Sequence, residues 1–185
     1  MGHEAVGKVL EIAKADADPI VRIKCLSLLK VIEDKEASES ILRDLMSELP
    51  TDESMLIQVA GSLRGLGYPS SAYAALKGLD QTDTVLRLRC MCLEDMEEYE
   101  MALEEVGKIK DPTPFDRILL SEVFSAIGDH KRAVETAEAL LKEMPNDFDV
   151  RRAYASTLML AGRDKEASKY VRGCLKEKTA EANAL

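Results

Sequence analysis

The sequence predicts an all-α fold, a solenoid of antiparallel helix pairs, and three observations predict it. The stretch 114–178 lies on itself at a fixed shift. Gly128 aligns with Gly162, Ala133 with Ala167, Phe124 with Leu158 and Leu120 with Tyr154, each pair 34 residues apart. A constant period of this size marks stacked helix-turn-helix units. Apolar residues recur at helical spacing, as in Ile118, Leu119, Phe124 and Ile127, then Ala153, Tyr154, Leu158 and Leu160. Glycine and proline punctuate the helices at Gly128, Pro145 and Gly162. A glycine past a helix end takes left-handed φ without a Cβ clash, and proline cannot continue a helix.

Taken in order, the chain opens with a helix over about 3–14 whose stripe is Ala5, Val6, Val9, Leu10, Ile12 and Ala13. A helix pair follows at 16–49, with Asp18 as N-cap and Pro19 in the first turn. These two segments form an N-terminal part, 1–50. Four further units are read at 51–79, 82–110, 114–145 and 148–178, within a second part, 51–185, of one continuous solenoid. In the first of these, Val59, Ala60, Leu63, Gly67 and Ala72 repeat the later pattern, with the same five-residue step from Gly67 to Ala72 as from Gly128 to Ala133. In the second, Ala102 is the crossing residue, Glu97 replaces the glycine and Arg89 falls on a position that is apolar elsewhere. Gly61 and Gly65 inside a helix each cost about 1 kcal/mol relative to alanine. They read as close helix–helix packing, ahead of a groove held open. The residues 179–185 read as the start of another first helix.

The stretch 51–178 resembles the tetratricopeptide repeat (TPR) family. The matching positions are a small residue in the first helix (Ser121, Ala155), a large apolar one (Phe124, Leu158), the turn glycine (Gly128, Gly162), the crossing alanine (Ala133, Ala167) and the terminal Pro145. Two features depart from the pattern. Arg117 and Arg151 replace the early large apolar residue, and Thr179 stands in place of the last proline. The resemblance implies a right-handed superhelix whose first helices line a concave groove. The pair at 16–49 resembles a HEAT repeat through Asp18-Pro19, Val21-Arg22, Leu28-Leu29 and the run from Ile32 to Ala37. That resemblance implies an ion pair made by Arg22, with Asp34 as its counterpart; a divergent TPR unit is the other reading of this pair.

Composition narrows the function. The net charge is −9 and the pI about 4.9, so a polyanionic backbone is repelled and nucleic acid is not expected as a partner. Aromatic residues make up 4% of the chain with no Trp, leaving few platforms for stacked bases. No run of 18 apolar residues exists and the start lacks a charged-then-apolar signal, so the expectation is a cytoplasmic protein with no membrane partner. Cys25, Cys90, Cys92 and Cys174 form no C-x-x-C and only His3 and His130 are present, so the cysteines read as small buried hydrophobes rather than metal ligands. The acidic run Glu94, Asp95, Glu97, Glu98, Glu100, Glu104 and Glu105 reads as a solvated face rather than a cation site. No phosphate-binding loop, nucleophile elbow or metalloprotease motif occurs. The chain is therefore expected not to be an enzyme and to need no cofactor.

The expected function is a non-enzymatic scaffold that holds a peptide or protein segment. Projecting the first helices gives a groove of Gly61, Arg64, Arg87, Met91, Glu122, Ser125, Arg152, Ser156 and Met159. Arginine forks onto carboxylates, and methionine adapts to varied apolar shapes. TPR members that clamp chaperone C-termini place asparagines at set groove positions. Here those positions carry Met91, Glu122 and Ser156, which argues against that ligand. The alternatives are a structural subunit assembling as a homo-oligomer through its terminal helices and, more weakly, an accessory subunit of an enzyme complex.

Overall fold

The computed structural model describes residues 2–182, with side chains over residues 4–175. Eleven helices and no strand occur among them. Most helices begin where a short polar side chain takes up an otherwise unsatisfied first-turn N–H. Asp34 accepts from the Ala37 N–H at 3.0 Å, Asp52 from Met55 at 2.8 Å and Asp147 from Val150 at 3.0 Å. At Thr113 the bond is reciprocal: Asp116 reaches back to the Thr113 N–H at 2.8 Å. The chain forms two compact units, Met1–Glu97 and Glu98–Leu185.

Met1–Glu97 holds α1 (Gly2–Ala15), α2 (Pro19–Ile32), α3 (Lys35–Ser47), α4 (Glu53–Gly65), α5 (Pro69–Leu76) and α6 (Asp83–Asp95). α1 packs on α2 and α3, α2 on α3 and α4, and α4 on α5 and α6. The core is a line of leucines and valines, Leu26, Leu29, Leu45, Val59, Leu63 and Leu76, all fully buried. Each such side chain contributes about 1.5–3 kcal/mol relative to an exposed one. Ala72, the expected crossing residue, is buried here, as are Ala102, Ala133 and Ala167 in the other unit.

Two buried arginines in this unit were not legible as such. Arg22 does not pair with Asp34, which is spent capping α3. Its guanidinium instead meets Glu48 at 2.7 Å and donates to the carbonyls of Ala13 and Asp44, both at 3.4 Å. Arg89 is buried on α6 and donates to the carbonyls of Leu76 at 2.6 Å and Leu79 at 3.3 Å, at the C-terminal end of α5. Helix ends expose unpaired carbonyls and carry partial negative charge, so a guanidinium is at home there even when buried. This explains how an arginine replaces an apolar residue at that position.

Glu98–Leu185 holds α7 (Tyr99–Val106), α8 (Pro114–Ala126), α9 (His130–Glu143), α10 (Phe148–Leu160) and α11 (Asp164–Ala182). α7 packs on α8, α8 on α9, α10 on both α8 and α9, and α11 on α10. Ile118 and Leu140 bury against Val150 and Ala153 of α10. Val134, Leu158 and Ala167 close the next layer. Gly128 and Gly162 have φ of 81° and 71°, as their place after a helix requires. Glu33 and Glu97 adopt the same left-handed turn at 62° without being glycine.

α11 departs from the expected pattern. It runs unbroken from Asp164 to Ala182, so no new helix starts at Thr179. The image of Pro145 one period later is Thr179, and with no proline there nothing halts the helix. The last residues of the expected helix start, 183–185, lie outside the described residues.

Candidate functional site

In Met1–Glu97, Gly61 lies exposed on α4, and a Cβ there would meet nothing within 4 Å. Gly65 is equally open, so neither glycine serves close helix packing. Arg64 forms an ion pair with Asp95 at the end of α6, its Nη2 donating to Oδ1 at 3.3 Å while Nε lies 2.7 Å from Oδ2 without hydrogen-bond geometry. One member of the acidic run is thus committed to an arginine of the same unit. Arg87 and Met91 lie half-buried one turn apart on α6. Behind them Cys92 is fully buried, and burial pushes its thiol up to about 11, which keeps it protonated and inert.

In Glu98–Leu185 the predicted residues divide. Ser125 is 7% exposed and its hydroxyl donates to the Ser121 carbonyl at 3.0 Å, so it packs inside rather than facing a ligand. Glu122 is half-buried on α8. Burial pushes its carboxyl above the ordinary range, and the positive charge of Arg152 draws it partly back. Arg152, Ser156 and Met159 come together. They line one wall of a cleft of about 620 Å³ between α10 and α11, whose floor and far wall are Ala155, Tyr170, Val171, Cys174 and Leu175.

The cleft is apolar at its base and cationic at its rim. Phe148 is 74% exposed at one end, and Met159 and Leu175 are each 60% exposed. Arg151 donates its Nε–H to the Cys174 Sγ at 3.3 Å, and Arg152 sits 3.7 Å from Asp149. Among the described residues lining the cleft there is no carboxylate. Tyr170 is held by an edge-on contact with Tyr154, ring centroids 5.2 Å apart, and burial raises its phenol, with the Cys174 thiol beside it adding to the shift. Projecting only the first helices of the repeats leaves out the apolar members on α11, which lie in the second half of the 148–178 unit. The signal that finds them is the period: Val171 and Leu175 are the 34-residue images of Ala137 and Leu141.

No protein-family model matches the chain, and no curated protein matches it by sequence. Solved structures do match. One is a tetratricopeptide repeat protein from Parabacteroides merdae, with TM-score 0.64 and 14% identity over 95% of this chain and 79% of that one. The fold is TPR-like. A second TPR-like match, MamA, gives TM-score 0.60 and 16% identity over 85% of this chain and 96% of that one. A third is YrrB, described as a TPR protein with an unusual peptide-binding site, with TM-score 0.57 and 14% identity over 98% of both chains. The TPR-like helix-pair solenoid expected from the 34-residue period is the architecture these proteins share. No helix among the described residues is long and apolar enough to cross a membrane.

Proposed function

We propose that the chain is a non-enzymatic scaffold that binds a segment of another protein. The observation that carries this is the α10–α11 cleft, where exposed apolar side chains lie beside Arg152 and Ser156. Soluble proteins seldom leave several large apolar residues contiguous and exposed unless a partner covers them. A cleft with an apolar base and a few polar groups at its rim has the anatomy of an interaction site. The peptide-binding site named for YrrB, which shares the fold, agrees with such a role. In Met1–Glu97 the residues offered to the same role are Gly61, Arg64, Arg87 and Met91 on the first helices α4 and α6.

The test is affinity capture from native lysate with the wild-type chain beside Arg152→Glu/Met159→Asp and Arg87→Glu variants, with mass spectrometry of each eluate. Unchanged helical circular dichroism establishes that the variants fold. Loss of specific partners with Arg152→Glu/Met159→Asp supports the reading. Equal recovery from every variant removes it.

A further inference from the structure

We propose that the α10–α11 cleft receives an amphipathic helix of a partner protein, with acidic residues along its flanks, lying as α10 lies on α8 and α9. This rests on the scaffold reading and deepens it by naming the shape and charge of what is bound. The shape follows from the repeat. Moved back by one 34-residue period, the cleft becomes the surface of α8 and α9 on which α10 packs. Ala155 maps to Ser121, Val171 to Ala137 and Cys174 to Leu140, and all three images are buried. The small residue is kept at 121 and 155, so a helix can approach the second surface as closely as the first. An extended peptide has no counterpart in that image.

The charge follows from the place where the image fails. Ile118, buried beneath α10, maps to Arg152, which is exposed, lies 3.7 Å from Asp149 and acts on the half-buried Glu122 of α8. A helix covering this surface takes water from that guanidinium, and an acidic residue on the helix would replace the lost solvation. The surroundings point the same way. Residues 148–178 carry eight Lys or Arg against four Asp or Glu, in a chain whose net charge is −9. Two copies meeting by this same face would bring like charges together, which disfavours a symmetric pair.

The probe is a synthetic peptide of residues 148–160, a helix already fitted to the equivalent surface of α8 and α9, with a lactam staple replacing Arg152 and Ser156. Its Arg151→Glu form is the acidic version. Fluorescence anisotropy should show saturable binding of both, about tenfold tighter for the acidic form at low salt, with the difference shrinking once screening is strong. Ala155→Trp in the full chain fills the cleft and should abolish binding with no change in circular dichroism. Absence of saturable binding overturns the proposal. So does equal binding of an unstapled, proline-substituted peptide, or binding indifferent to Ala155→Trp. Self-association of the chain that Ala155→Trp removes would identify a second copy as the occupant and overturn it too. If lysate capture depends on Arg152 and Met159 while no stapled helix binds, the scaffold reading stands and the helix falls.

Discussion

The helix pairs α8–α9 and α10–α11 share one 34-residue frame, yet corresponding faces differ in what covers them. Leu140 on α9 is 1% exposed beneath α10, whereas its image Cys174 is half-buried. Ser125 is closed off and its image Met159 is open. The difference is partly written in the residues themselves: Ile118 has become Arg152, a change that suits water, and Leu140 has become the smaller Cys174. It is also partly unwritten, since Val171 and Leu175 remain apolar and exposed and Ser125 has become the exposed Met159. Periodicity therefore specifies which face of a helix is a contact face. The neighbour decides whether that face is a core or a surface.

Substitutions at paired positions test this directly. The largest effect is expected from Ile118→Arg, which puts an unpaired charge beneath α10 and should cost about 3–5 kcal/mol in urea unfolding. The reciprocal Arg152→Ile should change stability by no more than about 0.5 kcal/mol, as for an exposed site. Similar losses at both would mean that the two faces are equally covered and would break the comparison. Next, Leu140→Ala should cost about 2–5 kcal/mol, and Cys174→Ala well under half of that, again by equilibrium unfolding.

Gly173→Ala should be stabilising. Gly173 is the image of Ala139, and a Cβ at Gly173 meets nothing within 4 Å, so α11 should gain about 1 kcal/mol in helix propensity. A loss on thermal unfolding would show that the face is not open. The smallest effect concerns Glu143, whose carboxyl the Arg117 hydrogen bond holds below the ordinary range. In acid, native Glu143 then keeps fewer protons than the unfolded chain, so its contribution is present above the ordinary carboxylate range and is lost as pH falls through the lowered value. Glu143→Gln should flatten the rise of stability with pH over that acidic window. An unaltered slope would remove the pair from the account.

Much of the fold was legible because its signals are local or strictly periodic. The caps are read within three residues, the turn glycines must solve a left-handed φ, and Ala133 and Ala167 announce a close crossing. What stayed hidden depends on distant partners. Nothing near Arg22 in sequence names Glu48 or the Ala13 carbonyl, and the repeat resemblance pointed to Asp34, which a cap had already claimed. Glu33 takes a glycine's conformation under no local signal. Gly61 inside a helix predicts a close neighbour, and a Cβ there would meet nothing within 4 Å. The site was half legible for the same reason. Arg152, Ser156 and Met159 follow from projecting one helix, whereas the α11 wall requires knowing that nothing described packs beyond it.

Arg22 also bears on how the first helix comes undone. Its guanidinium joins the last turn of α1, through the Ala13 carbonyl, to the end of α3, through Asp44 and Glu48. Fraying α1 from its C-terminal end strips a buried cation of one acceptor and disturbs the two that remain. The ends of a helix usually exchange their amide hydrogens ahead of its middle. Here the last amides of α1 should exchange together with those closing α3, as one opening event, and Arg22→Met should let the two exchange at separate rates.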